Sequence, residues 1–267
     1  MSEISALLNA YDEQTRARIP EVTSAGVTHE WDGPLLRTIG YHRGFVETTG
    51  DLRIRGAELD ALIARQRDYF AARGEAVEWK TRSHDKPADL VARLLAAGFE
   101  PEESETVLIG EAADLAAEPP LPDGVTLRQV TAHDDLERIA AMEAEVWGKD
   151  RPWLAEELGG RIAADPDEVA VFVAEVGSGM DAHVVSAAWI SLKDSPQFAG
   201  LWGGSTLEAW RGKGIYRALV ARRARLAVSR DIKYVQVDAS ENSRPILERL
   251  GLRVITRTTP YVWSPEH

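Results

Sequence analysis

The chain has 267 residues, of which 44% are apolar and 28% are charged. This composition is ordinary for a soluble globular protein, and the length allows two domains that each bury a core. The net charge of −12 argues against extended DNA or RNA binding, because an acidic body repels polyphosphates. A cationic amine fits this charge better, although the acidity alternatively serves only solubility.

Other classes of site are disfavoured by what the chain lacks. It has no cysteine, which excludes disulfides, thiolate metal sites and a cysteine nucleophile. His29, His42 and His84 are scattered without metal-ligand spacing, so we expect no metal. The start lacks the pattern of a secretion signal, and no apolar run approaches the ~18 residues of a membrane span. We therefore expect a cytoplasmic protein without membrane contact.

The first half of the chain is predicted to alternate short helices and strands. The helices are expected over 3–16, 57–73 and 88–97, and the strands over 27–31, 35–39, 44–49, 77–82 and 105–109. A segment of small residues, acids and three prolines follows, AADLAAEPPLPDG. Because it has no apolar periodicity, it is predicted to be an interdomain linker. The predicted organisation is thus a domain over 1–111, a linker over 112–124 and a domain over 125–267.

The second half is predicted to be a longer series of the same kind. An amphipathic helix over 135–148 carries Leu136, Ile139, Met142 and Val146 on one face. The other expected helices cover 153–164, 214–229 and 243–250, and the strands 125–131, 170–176, 183–192, 198–208, 233–239 and 254–263, with a turn over 177–181.

The two halves are predicted to be a repeat. A shift of 156 residues places Arg55-Gly56 on Arg211-Gly212 and Gly44 on Gly200. Near Lys86 the offset drops to 153, which places Gly98 on Gly251. The shared order of helix, strand, helix, glycine and strand favours an ancient duplication over coincidence between two α/β units.

A glycine-containing loop between a strand and a long helix carries the clearest chemical signal. In the loop WRGKGIY, Gly212 and Gly214 leave room for a ligand to approach the main chain. The helix that follows begins with unpaired N–H groups and the positive end of its dipole, which favour an anion. Arg211, Lys213 and Arg217 add positive charge. The loop therefore predicts a pyrophosphate site, with a plain surface loop as the alternative.

These residues resemble the acetyl-CoA site of the GNAT N-acetyltransferases. Arg211-x-x-Gly214-x-Tyr216 resembles the family motif Gln/Arg-x-x-Gly-x-Gly/Ala, which binds pyrophosphate through main-chain amides. The string EAWRGKGIYRALV resembles the family's strand–loop–helix unit, and the element order over 125–263 resembles the whole fold. Tyr216 departs from the small residue expected at the last motif position.

The resemblance implies a fold and a set of cofactor contacts. The fold is α/β, with two GNAT-like domains that each contain a mixed, mostly antiparallel sheet flanked by helices. Two adjacent strands, over 202–206 and 234–238, should separate to admit the pantetheine arm. Asn242 matches a family position that contacts the cofactor, although a helix N-cap explains it equally well. The expected acetyl-CoA contacts are Gly204, Ser205, Thr206, Arg211, Gly212, Lys213, Gly214, Ile215, Tyr216, Arg217 and Asn242.

The catalytic residues are less clear. Leu247 stands where many family members carry the tyrosine that protonates the thiolate, so the usual general acid is missing. An attacking amine must be neutral, which calls for a base. Glu208 and Glu143 are the candidates. Glu208 is alternatively a solvated loop residue without a catalytic role, and Glu143 alternatively lies at the edge of the buried face of its helix. Trp202 and Trp189 either wall the acceptor site or pack in the sheet.

The first half has lost the cofactor signature. Under the repeat alignment Glu58 replaces Gly214 and Asp60 replaces Tyr216, so carboxylates stand where a polyanion would lie. We therefore expect a degenerate, structural first half and an acetyl-CoA-dependent N-acetyltransferase in the second.

The expected reaction is direct transfer, in a ternary complex, to the amine of a small molecule. The alternatives are a non-catalytic acyl-CoA-binding or regulatory module and an aminoacyl-tRNA-dependent transferase. The acidity and the intact loop disfavour the last. No nucleic-acid partner is expected, and a homodimer is left open.

Overall fold

The structure is a computed structural model that describes residues 3–177, 182–193 and 195–265. The predicted turn over 177–181 therefore lies largely outside the described residues. The helices are α1 (Glu3–Thr15), α2 (Gly56–Ala71), α3 (Leu90–Ala96), α4 (Ala112–Leu115), α5 (His133–Trp147), α6 (Trp153–Ala164), α7 (Ile215–Ser229) and α8 (Arg244–Arg249). The strands are β1 (Thr28–Asp32), β2 (Leu35–Ile39), β3 (Gly44–Thr48), β4 (Val77–Arg82), β5 (Glu100–Pro101), β6 (Glu105–Glu111), β7 (Val125–Val130), β8 (Val169–Val176), β9 (His183–Ser191), β10 (Phe198–Thr206), β11 (Tyr234–Ala239) and β12 (Arg253–Trp263).

All of these strands belong to one sheet that runs through both halves. Its order is β1-β2-β3-β4-β12-β6-β11-β10-β9-β8-β7, with β5 paired to β12. Two pairings are parallel, β3 with β4 and β10 with β11, and the other named pairs are antiparallel. The predicted fold class, a mixed and mostly antiparallel sheet flanked by helices, is confirmed.

The two halves exchange their last strands. β6, which ends the first half, pairs with β11 of the second half, while β12, which ends the chain, pairs with β4 of the first. The same two strands also pair with each other and join the halves. Each half therefore completes its sheet with a strand from the other.

The segment predicted as a linker is held against the second half. Its first turn is α4, whose Ala112 and Leu115 are buried in the core beside α7. Further along, Glu118 forms ion pairs with Arg222 and Arg225 of α7. The domain boundary at 112–124 remains a prediction, and these contacts show that the segment packs against the second half.

The internal repeat is visible in three dimensions. β3–α2–β4–α3 and β10–α7–β11–α8 follow the same order, and each begins with a parallel strand pair joined by a helix. Gly56 and Gly212, aligned by the shift of 156 residues, both have left-handed backbones with φ of 57° and 74°. This agreement at one aligned position supports the tandem arrangement.

The sheet has two distinct faces. Alternation along the paired strands β9 and β10 places Trp189, Ser191 and Trp202 on one face, where Arg161 of α6 donates to Ser191 Oγ. Gly204 points to the opposite face, against Tyr216 of α7. We call these the α5 face, covered in the second half by α5 and α6, and the α7 face. No helix among the described residues is both long and apolar enough to cross a membrane.

Candidate active site

The parallel strands β10 and β11 separate partway along their length. They pair at Phe198↔Tyr234, Ala199↔Val235 and Gly200↔Gln236, after which β10 continues with β9 and β11 with β6. Between Trp202 and Ser205 the register of β10 against β9 shifts, which marks a bulge. The result is a cleft at the carboxyl ends of the two strands, beyond the last pair Gly200↔Gln236. This is the separation of strands that the family resemblance implies.

The bulge depends on a glycine. Gly203 has a φ of 61°, and a Cβ there would lie 1.9 Å from an atom of the Trp189 ring. Both facts require glycine, because any other residue would strain the backbone and collide with the indole. Trp189 thus packs against the bulge that opens the cleft.

The loop before α7 ends at an open, left-handed glycine beside this cleft. Gly214 is the N-cap of α7 with a φ of 87°, and no side chain caps the helix or places an acid in its first turn. A Cβ on Gly214 would approach nothing closer than the Pro120 carbonyl oxygen, at 3.8 Å. Arg211 Nε donates to the Thr206 carbonyl at 3.0 Å, which ties the loop to the end of β10. The free N–H groups and the helix dipole suit a pyrophosphate.

The cationic side chains of the predicted pyrophosphate site are exposed. Arg211, Lys213 and Arg217 face solvent, and Lys213 Nζ lies 4.7 Å from the centroid of the Trp210 ring. Ile215 is buried in the core, so its main-chain amide alone is available to a ligand.

The corresponding part of the first half is filled. α2 begins at Gly56, directly after its N-cap Arg55, and Glu58 lies in its first turn. The buried guanidinium of Arg16 donates to the Thr48 carbonyl at 3.1 Å and pairs with Asp85 at 2.7 Å. Main-chain hydrogen bonds from Lys86 to Gly50 and from Leu52 to Lys86 rejoin the strands beyond it. The strands of this half rejoin, and α2, which also lacks a side-chain cap, carries the Glu58 carboxylate in its first turn, where it disfavours an anion.

Tyr216 lies at the edge of the cleft on the α7 face. Its ring packs on Gly204 so closely that a Cβ there would lie 2.6 Å from Tyr216 Cε2. Burial raises the pKa of the Tyr216 hydroxyl, and Ser243 is its hydrogen-bonding neighbour. Leu247 is fully buried in the core. The position without the expected tyrosine is therefore apolar, and a different tyrosine lies nearby.

Asn242 is exposed in the turn before α8, and the N-cap position belongs to Ser243. One of the two predicted roles of Asn242, the helix N-cap, therefore belongs to Ser243. A cofactor contact through Asn242 remains a prediction.

Glu143 is the buried candidate base. Its side chain is 1% exposed, and burial raises the pKa of its carboxyl group. Trp147 Nε1 donates to Ser205 Oγ at 3.0 Å, so Glu143 lies among α5 residues that contact the end of β10. Its nearest cation is Arg151 at 3.8 Å, and Oε1 has no hydrogen-bond partner within the described part of the chain.

Glu208 is in a different environment. It begins a short 3-10 turn (Glu208–Trp210) just after β10, and its side chain is exposed. The structure therefore distinguishes the two candidates by the burial of their side chains.

A cluster of charged residues at the junction of the halves was missed by the sequence analysis. Lys80 Nζ lies 2.6 Å from Asp238 Oδ2 and 5.7 Å from the centroid of the Trp202 ring. Glu78 and Glu105 interact electrostatically with the same ammonium group. We call Glu78, Lys80, Glu105 and Asp238 the seam cluster. Charged residues at alternate positions of the 77–82 strand were the available signal.

The pKa values in this cluster reflect burial among carboxylates. The pKa of Glu105 is raised to about 7, first by burial and then by Asp238 and Glu78, against the opposing effect of Lys80. Asp238 holds Lys80 well above its usual pKa despite burial. Among the described residues, no group of three or more His, Asp or Glu side chains has metal-binding geometry.

Solved structures with the same fold include GNAT N-acetyltransferases and proteins of unknown function. A GCN5-related N-acetyltransferase from Kribbella flavida is 17% identical over 100% of this chain and 97% of its own, with a TM-score of 0.66. A tandem GNAT protein from the clavulanic acid biosynthesis pathway is 14% identical over 99% and 96%, with a TM-score of 0.61. A functionally unknown protein from Staphylococcus epidermidis is 13% identical over 93% and 96%, with a TM-score of 0.63.

No family model and no curated protein matches the sequence. The structural matches show that the chain has the GNAT fold in its tandem form.

Proposed function

We propose that this chain is a GNAT N-acetyltransferase that moves the acetyl group of acetyl-CoA to the amine of a small molecule. The observation that carries this proposal is the separation of β10 from β11 directly beside the uncapped N-terminus of α7. An open strand pair exposes main-chain groups to a linear ligand, and a helix N-terminus binds an anion. Together they suit a pantetheine arm attached to a pyrophosphate.

In this proposal each predicted cofactor residue acts mainly through its main chain. The amides from Gly212 to Tyr216 hold the pyrophosphate, with Arg211, Lys213 and Arg217 contributing positive charge. The backbone of Gly204, Ser205 and Thr206 pairs with the pantetheine, and Asn242 contacts the cofactor from the turn before α8. The domain over 125–267 contains this site, and the one over 1–111 supports it.

Acetyl-CoA supplies an activated acetyl group, and the protein must supply a base for the incoming amine. We assign this role to Glu143, because burial raises the pKa of its carboxyl group towards the working range of a general base. The amine attacks the thioester directly, while a main-chain amide in the cleft stabilises the oxyanion. The hydroxyl of Tyr216 donates a proton to the departing thiolate in place of the tyrosine that Leu247 replaces.

The test is thiol release from acetyl-CoA in the presence of a panel of primary amines. We expect transfer by the intact chain and about a hundredfold lower kcat in Glu143→Gln, the loss typical of a missing general base. Glu208→Gln is the matched control and should retain activity. Equal activity of Glu143→Gln and the unchanged protein would remove Glu143 from this role.

A non-catalytic acyl-CoA-binding module is the second candidate, favoured by the apolar Leu247. It would bind acetyl-CoA in the same cleft and release no thiol with any amine. Tight binding of uncharged tRNA at low salt would instead favour an aminoacyl-tRNA-dependent transferase.

A further inference from the structure

We propose that the acceptor carries a second cationic group besides the amine that is acetylated, and that the seam cluster binds it. This inference rests on the proposed function, since it names the class of compound that the same site takes. It assigns acceptor recognition to residues from both halves: Glu78, Lys80 and Glu105 come from the first, and Asp238 comes from the second.

The seam cluster borders the separated strands β10 and β11. Trp202 is the last residue of β10 before the bulge, and Asp238 lies on β11 across the cleft. Lys80 contacts both, through its ion pair with Asp238 and its approach to the Trp202 ring. The seam cluster therefore lies at the cleft, on the α5 face, whereas the loop at Gly214 and Tyr216 lies on the α7 face. A thioester held in the cleft would have cofactor on one side and this cluster on the other.

The carboxylates in and beside the seam cluster outnumber the cations that face them. Lys80 neutralises Asp238, while Arg43 is shared between Glu78 at 2.6 Å and Glu102 at 2.9 Å. Glu105 has no ion pair of its own within the ranges that the structure describes. Three cations thus face four carboxylates: Lys80 and Arg43 through ion pairs, and Arg82 through a longer-range interaction with Asp238. An additional cation would be stabilised here by electrostatic attraction in a partly dehydrated setting.

The next cation along β4 does not remove this excess. Arg82 Nε donates to the Tyr11 hydroxyl at 3.3 Å, and its Nη1 donates to the Lys80 carbonyl at 3.2 Å. Its guanidinium is therefore held by α1 and by main chain, and it interacts with Asp238 electrostatically, without a hydrogen bond between the two described side chains.

Asp238 carries an acceptor atom to which no described residue donates a hydrogen bond. The Asp238 side chain is 5% exposed, and Lys80 bonds only its Oδ2. Oδ1 is buried and has no hydrogen-bond partner within the described residues. A buried carboxylate oxygen without a donor is costly, and an ammonium group of the acceptor would supply one. The Trp202 ring, which already faces the Lys80 ammonium, offers a surface for a second cation.

The raised pKa of Glu105 gives this inference a measurable consequence. Glu105 faces Lys80 and Glu78 on β4, Asp238 on β11 and Glu103 on its own segment. A bound cation would lower the pKa of Glu105 from about 7, so binding near neutral pH would release protons. The affinity for such a ligand would rise with pH across this range.

The experiment compares three primary amines that each have four carbon atoms: 1,4-diaminobutane, 1-aminobutane and 4-aminobutanoate. Their dissociation constants are measured by calorimetry with the full chain, in the presence and absence of CoA, in buffers of different ionisation enthalpy. We expect the diamine to bind at least about tenfold more tightly than 1-aminobutane, the gain of one charge-assisted hydrogen bond. Of the three amines, only the diamine should release protons when it binds.

Glu105→Gln should abolish the preference and the proton release, while Glu103→Gln, an exposed acid on the same segment, should keep both. Thermal melts check that each variant is folded, and Asp238→Asn provides a second variant with the same expected loss of preference. A diamine that binds no better than 1-aminobutane, or a preference for 4-aminobutanoate, would overturn the inference.

Acetyl transfer is scored separately with the same amines. Transfer to 1-aminobutane and the diamine at equal efficiency would leave the proposed function intact and refute the second cationic group. Selective diamine binding without any transfer would support the recognition site and refute the acetyltransferase.

Discussion

Replacing Gly214 with glutamate separates cofactor binding from folding. The change copies into the second half the residue, Glu58, that occupies this position in the first. Gly214 has a left-handed backbone, which costs any other residue about 1–2 kcal/mol. Space is available, because a Cβ would lie 3.8 Å from the Pro120 carbonyl oxygen. Gly214→Ala therefore incurs the backbone cost alone, and it is the matched control.

The added carboxylate affects the free and the bound protein in opposite ways. Without ligand it lies at the positive end of α7, where a negative charge stabilises the helix by about 0.3–1 kcal/mol. With CoA it lies near the pyrophosphate, where two like charges about 5 Å apart repel by about 3 kcal/mol at an effective dielectric of about 20. After screening by salt we expect a loss of at least about 2 kcal/mol, or about a thirtyfold higher Kd.

Calorimetric titration of CoA into the three proteins measures this difference, and thermal melts measure the cost to folding. Both variants should melt a few degrees below the unchanged protein, with Gly214→Glu no less stable than Gly214→Ala. Gly214→Ala should retain most of its CoA affinity. If Gly214→Glu binds CoA as well as Gly214→Ala does, the pyrophosphate is not at the N-terminus of α7. Two equivalent CoA sites per chain would refute the loss of binding in the first half.

Three further predictions follow from the same structure. A fragment over 120–267 lacks β6, which leaves β11 and β12 without their shared neighbour, so it should be insoluble or melt far below the full chain. A fragment over 104–267 restores that strand. If the shorter fragment melted at the same temperature as the full chain, this expectation would be wrong. Tyr216→Phe should lower kcat about tenfold or more while leaving the Kd for CoA nearly unchanged, and an unchanged kcat would place the proton donor elsewhere. Because burial raises the pKa of Glu105 from 4.5 to about 7, the folded state holds a proton that the unfolded chain has lost, and stability falls as the pH rises through this window. Glu105→Gln should remove that decline, so that its melting temperature relative to the unchanged protein increases between about pH 5 and pH 8, whereas Glu103→Gln should show no such trend.

The local chemistry of the second half could be predicted from the sequence. Glycines at 212 and 214 followed by an apolar helical pattern specify an uncapped helix start, because the φ preference of glycine and the first-turn N–H groups are local properties. The same reasoning identifies Glu58 as an acid in the first turn of α2. Helical spacing also turns Glu143 towards the buried side, where the structure places it.

The assembly of the two halves required the tertiary structure. The sequence patterns of β6 and β12 suit either half, and only the complete sheet shows that these strands are exchanged. Lys80 and Asp238 are 158 residues apart, so no local pattern predicts their ion pair. The closure of the first half by Arg16 likewise depends on Thr48 and Asp85, which are distant in sequence. Pairing between remote strands is selected by the packing of the whole sheet, and local backbone preferences carry no information about it.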